Sequence, residues 1–156
     1  MEVIKQTNPG LTPLWNRFGC RLGVLQWMGQ DFTSVRLNPV QYIHISDKLI
    51  ASGEIGPQLQ EWKPSSAPSI FREAFSLMGR EDLQGTQVGQ IIDGKVTFWP
   101  AVRDTTFTYS MFWFGANTND GHYLGGDRYC QIRYNPNPEV KIYEIKAVYL
   151  YRIWRK

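Results

Sequence analysis

The chain has little of the two residue types that most often carry metal and redox chemistry: 2 cysteines and 2 histidines in 156 residues. Two cysteines close one bridge at most, which excludes a disulfide-framed fold. Two free thiols in a reducing compartment are the simpler expectation. No Cys-x-x-Cys pair exists, so a zinc site built from Cys20, His122, Asp127 and Cys130 is disfavoured, and no metal or other cofactor is expected. No run of about 18 apolar residues occurs, so no membrane span is expected. The first ten residues are polar and lack the apolar core of a secretion signal, which points to a cytoplasmic protein or to delivery by a phage or a specialised export route. Neither charge sign dominates: 17 basic against 14 acidic residues leave a net charge of +3. The basic residues are scattered until Arg152, Arg155 and Lys156, so no nucleic-acid partner is expected.

What the chain does have is apolar and aromatic weight. Hydrophobic residues make up 42% and aromatics 14%, enough for a packed core and rich in strand formers. The length suits one domain, expected here over residues 1–156, with a helical half at 1–80 and an antiparallel sheet half at 86–156. Gln6 to Gly19 carries Asn8-Pro9-Gly10 and Thr12-Pro13 and reads as extended. Cys20 to Gln30 has helical spacing of Leu22, Val24, Leu25 and Met28. A second helix is signalled by Asn38, Pro39 and Gln41 at its start and Gly53 at its end. A third, Pro68 to Met78, carries the stripe Ile70, Phe71, Ala74, Phe75 and Met78, and Gly79 ends it.

The second half changes character. Gln87–Ile92, Lys95–Trp99, Thr105–Phe114, His122–Leu124, Tyr129–Tyr134 and Val140–Trp154 read as strands, with turns at Asp93-Gly94 and Gly125-Gly126-Asp127. Helices first and strands afterwards indicate an α+β fold with an antiparallel sheet.

Three residues make a chemical constellation. Cys20 opens a helix, where N–H groups and the helix dipole favour a thiolate. His122 follows Asp120-Gly121 and opens a strand, a position that presents an imidazole at a sheet rim as a base for the thiol. Asn135 comes thirteen residues later, after a turn and a return strand that bring it back beside His122 to orient the ring. His44, within the second helix, is expected to be structural. Cys130 is expected to pack on its strand. In the Phe107–Phe114 strand, Phe107, Tyr109, Met111 and Trp113 share a face, mostly core, with Trp113 a candidate wall for a substrate cleft.

In order and local context these residues resemble the papain-like cysteine peptidases, most closely the small microbial branch that includes the peptidase domains of bacteriocin exporters. The matching residues are Gln6 with Asn8-Pro9, Gly19-Cys20, Gly121-His122 and Asn135-Pro136. The resemblance implies a papain-like fold and a hydrolase, or thiol protease, that cuts a peptide, isopeptide or cell-wall amide bond through Cys20, His122 and Asn135. It also implies an amide donor for the oxyanion, usually six residues before the cysteine. That position holds Leu14, which leaves Gln6 and Asn16 as the candidate donors. Arg21 stands where the family often has a small or aromatic residue and is a candidate substrate contact. The alternatives are a papain-like module that binds a host protein without cutting, as a phage or mobile-element product would, and a structural or assembly protein.

Overall fold

The computed structural model describes residues 2–99, 106–114, 121–140 and 144–156. Thr105, Asp120 and residues 141–143, which the sequence places in strands or a turn, lie outside the described residues. Four helices, α1 (Pro13–Phe18), α2 (Cys20–Thr33), α3 (Pro39–Ala51) and α4 (Ser66–Leu77), precede six strands. The strands are β1 (Leu83–Ile92), β2 (Lys95–Phe98), β3 (Tyr109–Phe114), β4 (His122–Asp127), β5 (Ile132–Tyr134) and β6 (Ile145–Arg155). They form one antiparallel sheet in the order β2-β1-β6-β3-β4-β5. The fold is therefore α+β, with helices packed on a C-terminal antiparallel sheet. No helix among the described residues is long and apolar enough to cross a membrane.

Helix α2 organises the molecule. Leu22 through Gln30 are all buried, as expected of a helix enclosed on every side rather than laid on a surface. Of its buried glutamines, Gln30 is held by specific partners, whereas the Gln26 side-chain amide has none among the described residues. Gln30 Nε2 donates to the Tyr42 hydroxyl at 2.8 Å, and Gln30 Oε1 accepts from the Leu37 N–H at 2.8 Å. Trp27 fixes the helix on the sheet, stacked on Tyr134 at 5.6 Å and edge-on to Tyr109 at 5.3 Å. Helix α3 begins as its sequence predicts, with the reciprocal Asn38–Gln41 capping box and Pro39 in the first turn.

The structure corrects the sequence reading in several places. The approach to Cys20 is not wholly extended: Thr12 caps α1 by accepting the Trp15 N–H at 3.2 Å, and Pro13 takes its first turn. Strand β1 starts at Leu83 rather than Gln87, because residues 83–87 pair with the end of β6. Gly85 lies in that strand against Phe71, where a Cβ would come within 2.7 Å of the ring. Gly125 and Gly126 likewise lie inside β4, and the turn comes later. The Asp127 carboxylate accepts the N–H groups of Tyr129 and Gln131, and Cys130 takes a φ of 57°. Cys130 is thus a turn residue, and β5 is correspondingly short. Strand β6 begins at Ile145 rather than Val140, since Asn137 to Val140 form a further turn. Strand β3 is buried on both faces: Tyr109 and Met111 join the main core, while Phe112 and Phe114 form a second cluster with Leu124 on the reverse side.

Gly125 sets the closeness of α2 to β4. A Cβ at this position would come within 2.6 Å of the Trp27 ring, which is wedged between two tyrosines and has no room to retreat. Gly125→Ala is expected to cost about 1–3 kcal/mol through overpacking, read as a drop of several degrees in melting temperature. An unchanged melting curve would show that α2 sits farther from the sheet.

Candidate active site

Helices α1 and α2 are separated by Gly19 alone, whose N–H bonds the Trp15 carbonyl while its own carbonyl accepts the Gly23 N–H at 2.8 Å. Glycine is required there, because a Cβ would lie 2.3 Å from the Trp15 ring. The junction places Cys20 as the first residue of α2, 5% exposed, with one of the N–H groups that an α-helix leaves unclaimed at its start. Strand β5 pairs with β4 only at Gly125 and Gly126. His122 and Tyr123 therefore have β3 on one side and, among the described residues, no strand on the other. The helix start meets β4 along this unpaired edge, where the Tyr123 backbone N–H faces the Cys20 sulfur.

His122 is 4% exposed and pairs with Phe114 across the sheet, with the two rings edge-to-face at 5.5 Å. Its Nε2 lies 2.8 Å from Asn135 Oδ1. The same Oδ1 accepts the Asn137 N–H at 3.1 Å, which identifies that atom as the amide oxygen. An oxygen that only accepts requires Nε2 to carry the proton, so the neutral ring keeps its lone pair on Nδ1. The pairing of Asn135 with His122 is the contact the sequence spacing predicts. Among the described residues the ring makes no hydrogen bond to the Cys20 sulfur. What joins the two is the strand: the sulfur touches the residue after His122.

The amides proposed as oxyanion donors differ in what they have left to give. Asn16 donates to the Gln6 carbonyl at 2.7 Å and to the Asn8 carbonyl at 3.2 Å, which occupies both of its N–H groups. Asn16 thus latches the N-terminal arm, and its Nδ2 has no N–H left over in this arrangement. Gln6 is 3% exposed, and its Nε2 donates once, to the Asn16 carbonyl at 3.0 Å, leaving a second N–H. Its backbone N–H bonds the Pro136 carbonyl at 3.0 Å, so the arm ties α1 to the Asn135 loop. Arg21 and Trp113 line a hollow of about 220 Å³ together with Phe18, Cys20, Gln60, Gly121 and Tyr123. Gln60, which comes from the loop through Pro57 and Pro64, is a lining residue that no sequence motif marks. His44 is exposed on α3. Both cysteines are free, and no group of metal-ligating side chains gathers among the described residues.

Electrostatics run against a resting thiolate. Burial raises the Cys20 pKa above its ordinary 9.0, although the N–H groups of Tyr123, Arg21 and Cys20 and the Arg21 charge oppose this. Burial lowers the His122 pKa below 6.5, with the Asn135 hydrogen bond opposing. The helix-start argument for a thiolate is outweighed by desolvation, and the pair rests as neutral thiol and neutral imidazole. The linkage to stability follows. The His122 contribution is complete above pH 6.5 and is lost as pH falls towards the lower folded value, because the unfolded chain takes the proton more readily. The Cys20 contribution is complete below pH 9.0 and is lost as pH rises towards the higher folded value. Melting temperature measured from pH 4 to 10 should fall on both sides of this window, and Cys20→Ser should weaken the alkaline fall. An alkaline limb identical in that variant would refute the assignment to Cys20.

Comparison with protein-family models, with curated proteins and with solved structures finds no match.

Proposed function

We propose that the protein is a papain-like cysteine hydrolase that cleaves a peptide or isopeptide bond, with a cell-wall amide among its candidate substrates. The observation that carries this reading is the buried 2.8 Å bond between His122 Nε2 and Asn135 Oδ1, at a strand edge whose next residue faces the Cys20 sulfur. That bond keeps the free lone pair of the imidazole on Nδ1, and the reading requires the ring to reach the thiol at the helix start. In the first step the Cys20 thiol passes its proton to His122 Nδ1 as the sulfur attacks the substrate carbonyl. The oxyanion is held by the Cys20 backbone N–H and the spare N–H of Gln6. His122 then gives the proton to the leaving amine, and water hydrolyses the thioester. Asn135 keeps the ring in the required tautomer. A fluorogenic panel of peptide and isopeptide amides tests the reading: Cys20-dependent turnover supports it, and turnover indifferent to Cys20 refutes it.

A second reading is the same fold used as a binding module for a partner protein. It is favoured by the missing hydrogen bond between Cys20 and His122 and by the engagement of both Asn16 N–H groups. It expects a stable partner in pull-down that Cys20→Ala retains.

A further inference from the structure

We propose that Arg21 makes the hollow over Cys20 an anion-binding subsite, so that the preferred acyl substrates carry a carboxylate close to the scissile carbonyl. This rests on the reading of Cys20 as nucleophile. The Arg21 guanidinium lies 3.9 Å over the Trp62 ring and 5.5 Å from the centre of the Tyr123 ring. Trp62 is itself pinned, its indole N–H donating to the Leu59 carbonyl at 2.8 Å and its backbone bridging to Ile55. Trp62 and Tyr123 thus lie against the guanidinium, which is also within reach of the buried Tyr151 hydroxyl. The guanidinium donors lie in its plane, in the fork that matches a carboxylate.

The surroundings leave that fork without an acidic partner. Lys48, Arg80, Arg133, Lys146 and Arg155 each reach a carboxylate within 4 Å, and among the described residues Arg21 reaches none. Its Nε is buried without a hydrogen bond. The residues lining the hollow include no Asp or Glu. A cation held partly out of water with no counter-charge is costly, and an anion arriving with the substrate removes that cost. A volume of about 220 Å³ suits a short carboxylate-bearing group rather than a bulky side chain. Gln60 and Trp113, on the other walls, add an amide and an apolar face.

Two small alkylating reagents test this without knowledge of the substrate. Iodoacetate places a carboxylate beside the carbon that the sulfur attacks; iodoacetamide has nearly the same shape and no charge. In a Cys130→Ser background, iodoacetate should alkylate Cys20 with saturation and roughly tenfold faster than iodoacetamide, as one charge-assisted contact provides. Arg21→Gln should bring the ratio of the two rates to about one, even where loss of the charge slows both reagents together, whereas Arg21→Lys should keep part of the preference. Protection of the Cys130→Ser chain, Arg21 intact, against iodoacetamide by N-acetylglutamate but not N-acetylglutamine gives the same answer without altering Arg21. Equal rates for the two reagents, no selective protection, or a preference that survives Arg21→Gln would overturn the proposal. Iodoacetamide rates in His122→Ala report separately on the base, so a failed hydrolase reading and a failed anion subsite are distinguishable.

Discussion

On the proposed mechanism, Cys20→Ala should abolish turnover on every substrate the parent cleaves and leave the fold intact. Without the sulfur no thioester forms, and loss of a nucleophile from a triad of this kind costs on the order of a million-fold in rate, below the detection limit of a fluorogenic assay. The structural cost is small by comparison. Cys20 is the first residue of α2, it lines the hollow, and truncation to alanine removes one heavy atom. About 1 kcal/mol of destabilisation is expected, read as a shift of a few degrees in melting temperature. Circular dichroism and thermal melts on the parent and variant establish that the fold is retained, and the panel then reads the chemistry. Residual turnover above a hundredth of the parent rate, in a folded variant, would rule out Cys20 as nucleophile. Unchanged biological effect in the same variant would move the reading to the binding module.

The contrast between the two halves of the chain explains how much of this site is legible in the sequence. The His122–Asn135 contact is legible because hairpin geometry is local: a strand, a turn and a return strand leave few registers, and thirteen residues fit one of them. Its details are less so. Gly125-Gly126 reads as a turn, and only the Trp27 and Phe112 rings lying against those positions explain glycine inside a strand. Helix α3 is legible because its cap is a short-range reciprocal motif. Helix α1 is missed because Asn8-Pro9-Gly10 dominates the local signal, although Thr12-Pro13 is itself a helix start. The charge state of Cys20 is illegible in principle. A helix start favours the thiolate, desolvation opposes it, and burial is a property of the packed molecule rather than of the segment. The same holds for Arg21, whose partner Trp62 comes from a loop that carries no strand or helix pattern.

His122→Ala should lower kcat/KM by roughly two to four orders of magnitude, the usual worth of a positioned base, and should also change the shape of the pH profile. In the parent, burial keeps the imidazole neutral to below pH 6.5, so activity should reach its plateau at a pH lower than an ordinary histidine would allow. Burial also raises the Cys20 pKa above 9.0, so the proposed mechanism requires base assistance through the neutral range. Removing the base leaves only the thiolate fraction to react. The rate in His122→Ala should therefore climb steadily with pH through 7 and 9, where the parent is flat. Asn135→Ala should fall between the two, since the ring keeps its nitrogen but loses the acceptor that holds Nε2–H. Iodoacetamide alkylation of Cys20 in a Cys130→Ser background, followed from pH 5 to 10, gives the same comparison without a substrate. Superimposable profiles for parent and His122→Ala would mean that the imidazole does not reach the sulfur, and that Cys20 and the His122–Asn135 pair serve separate ends.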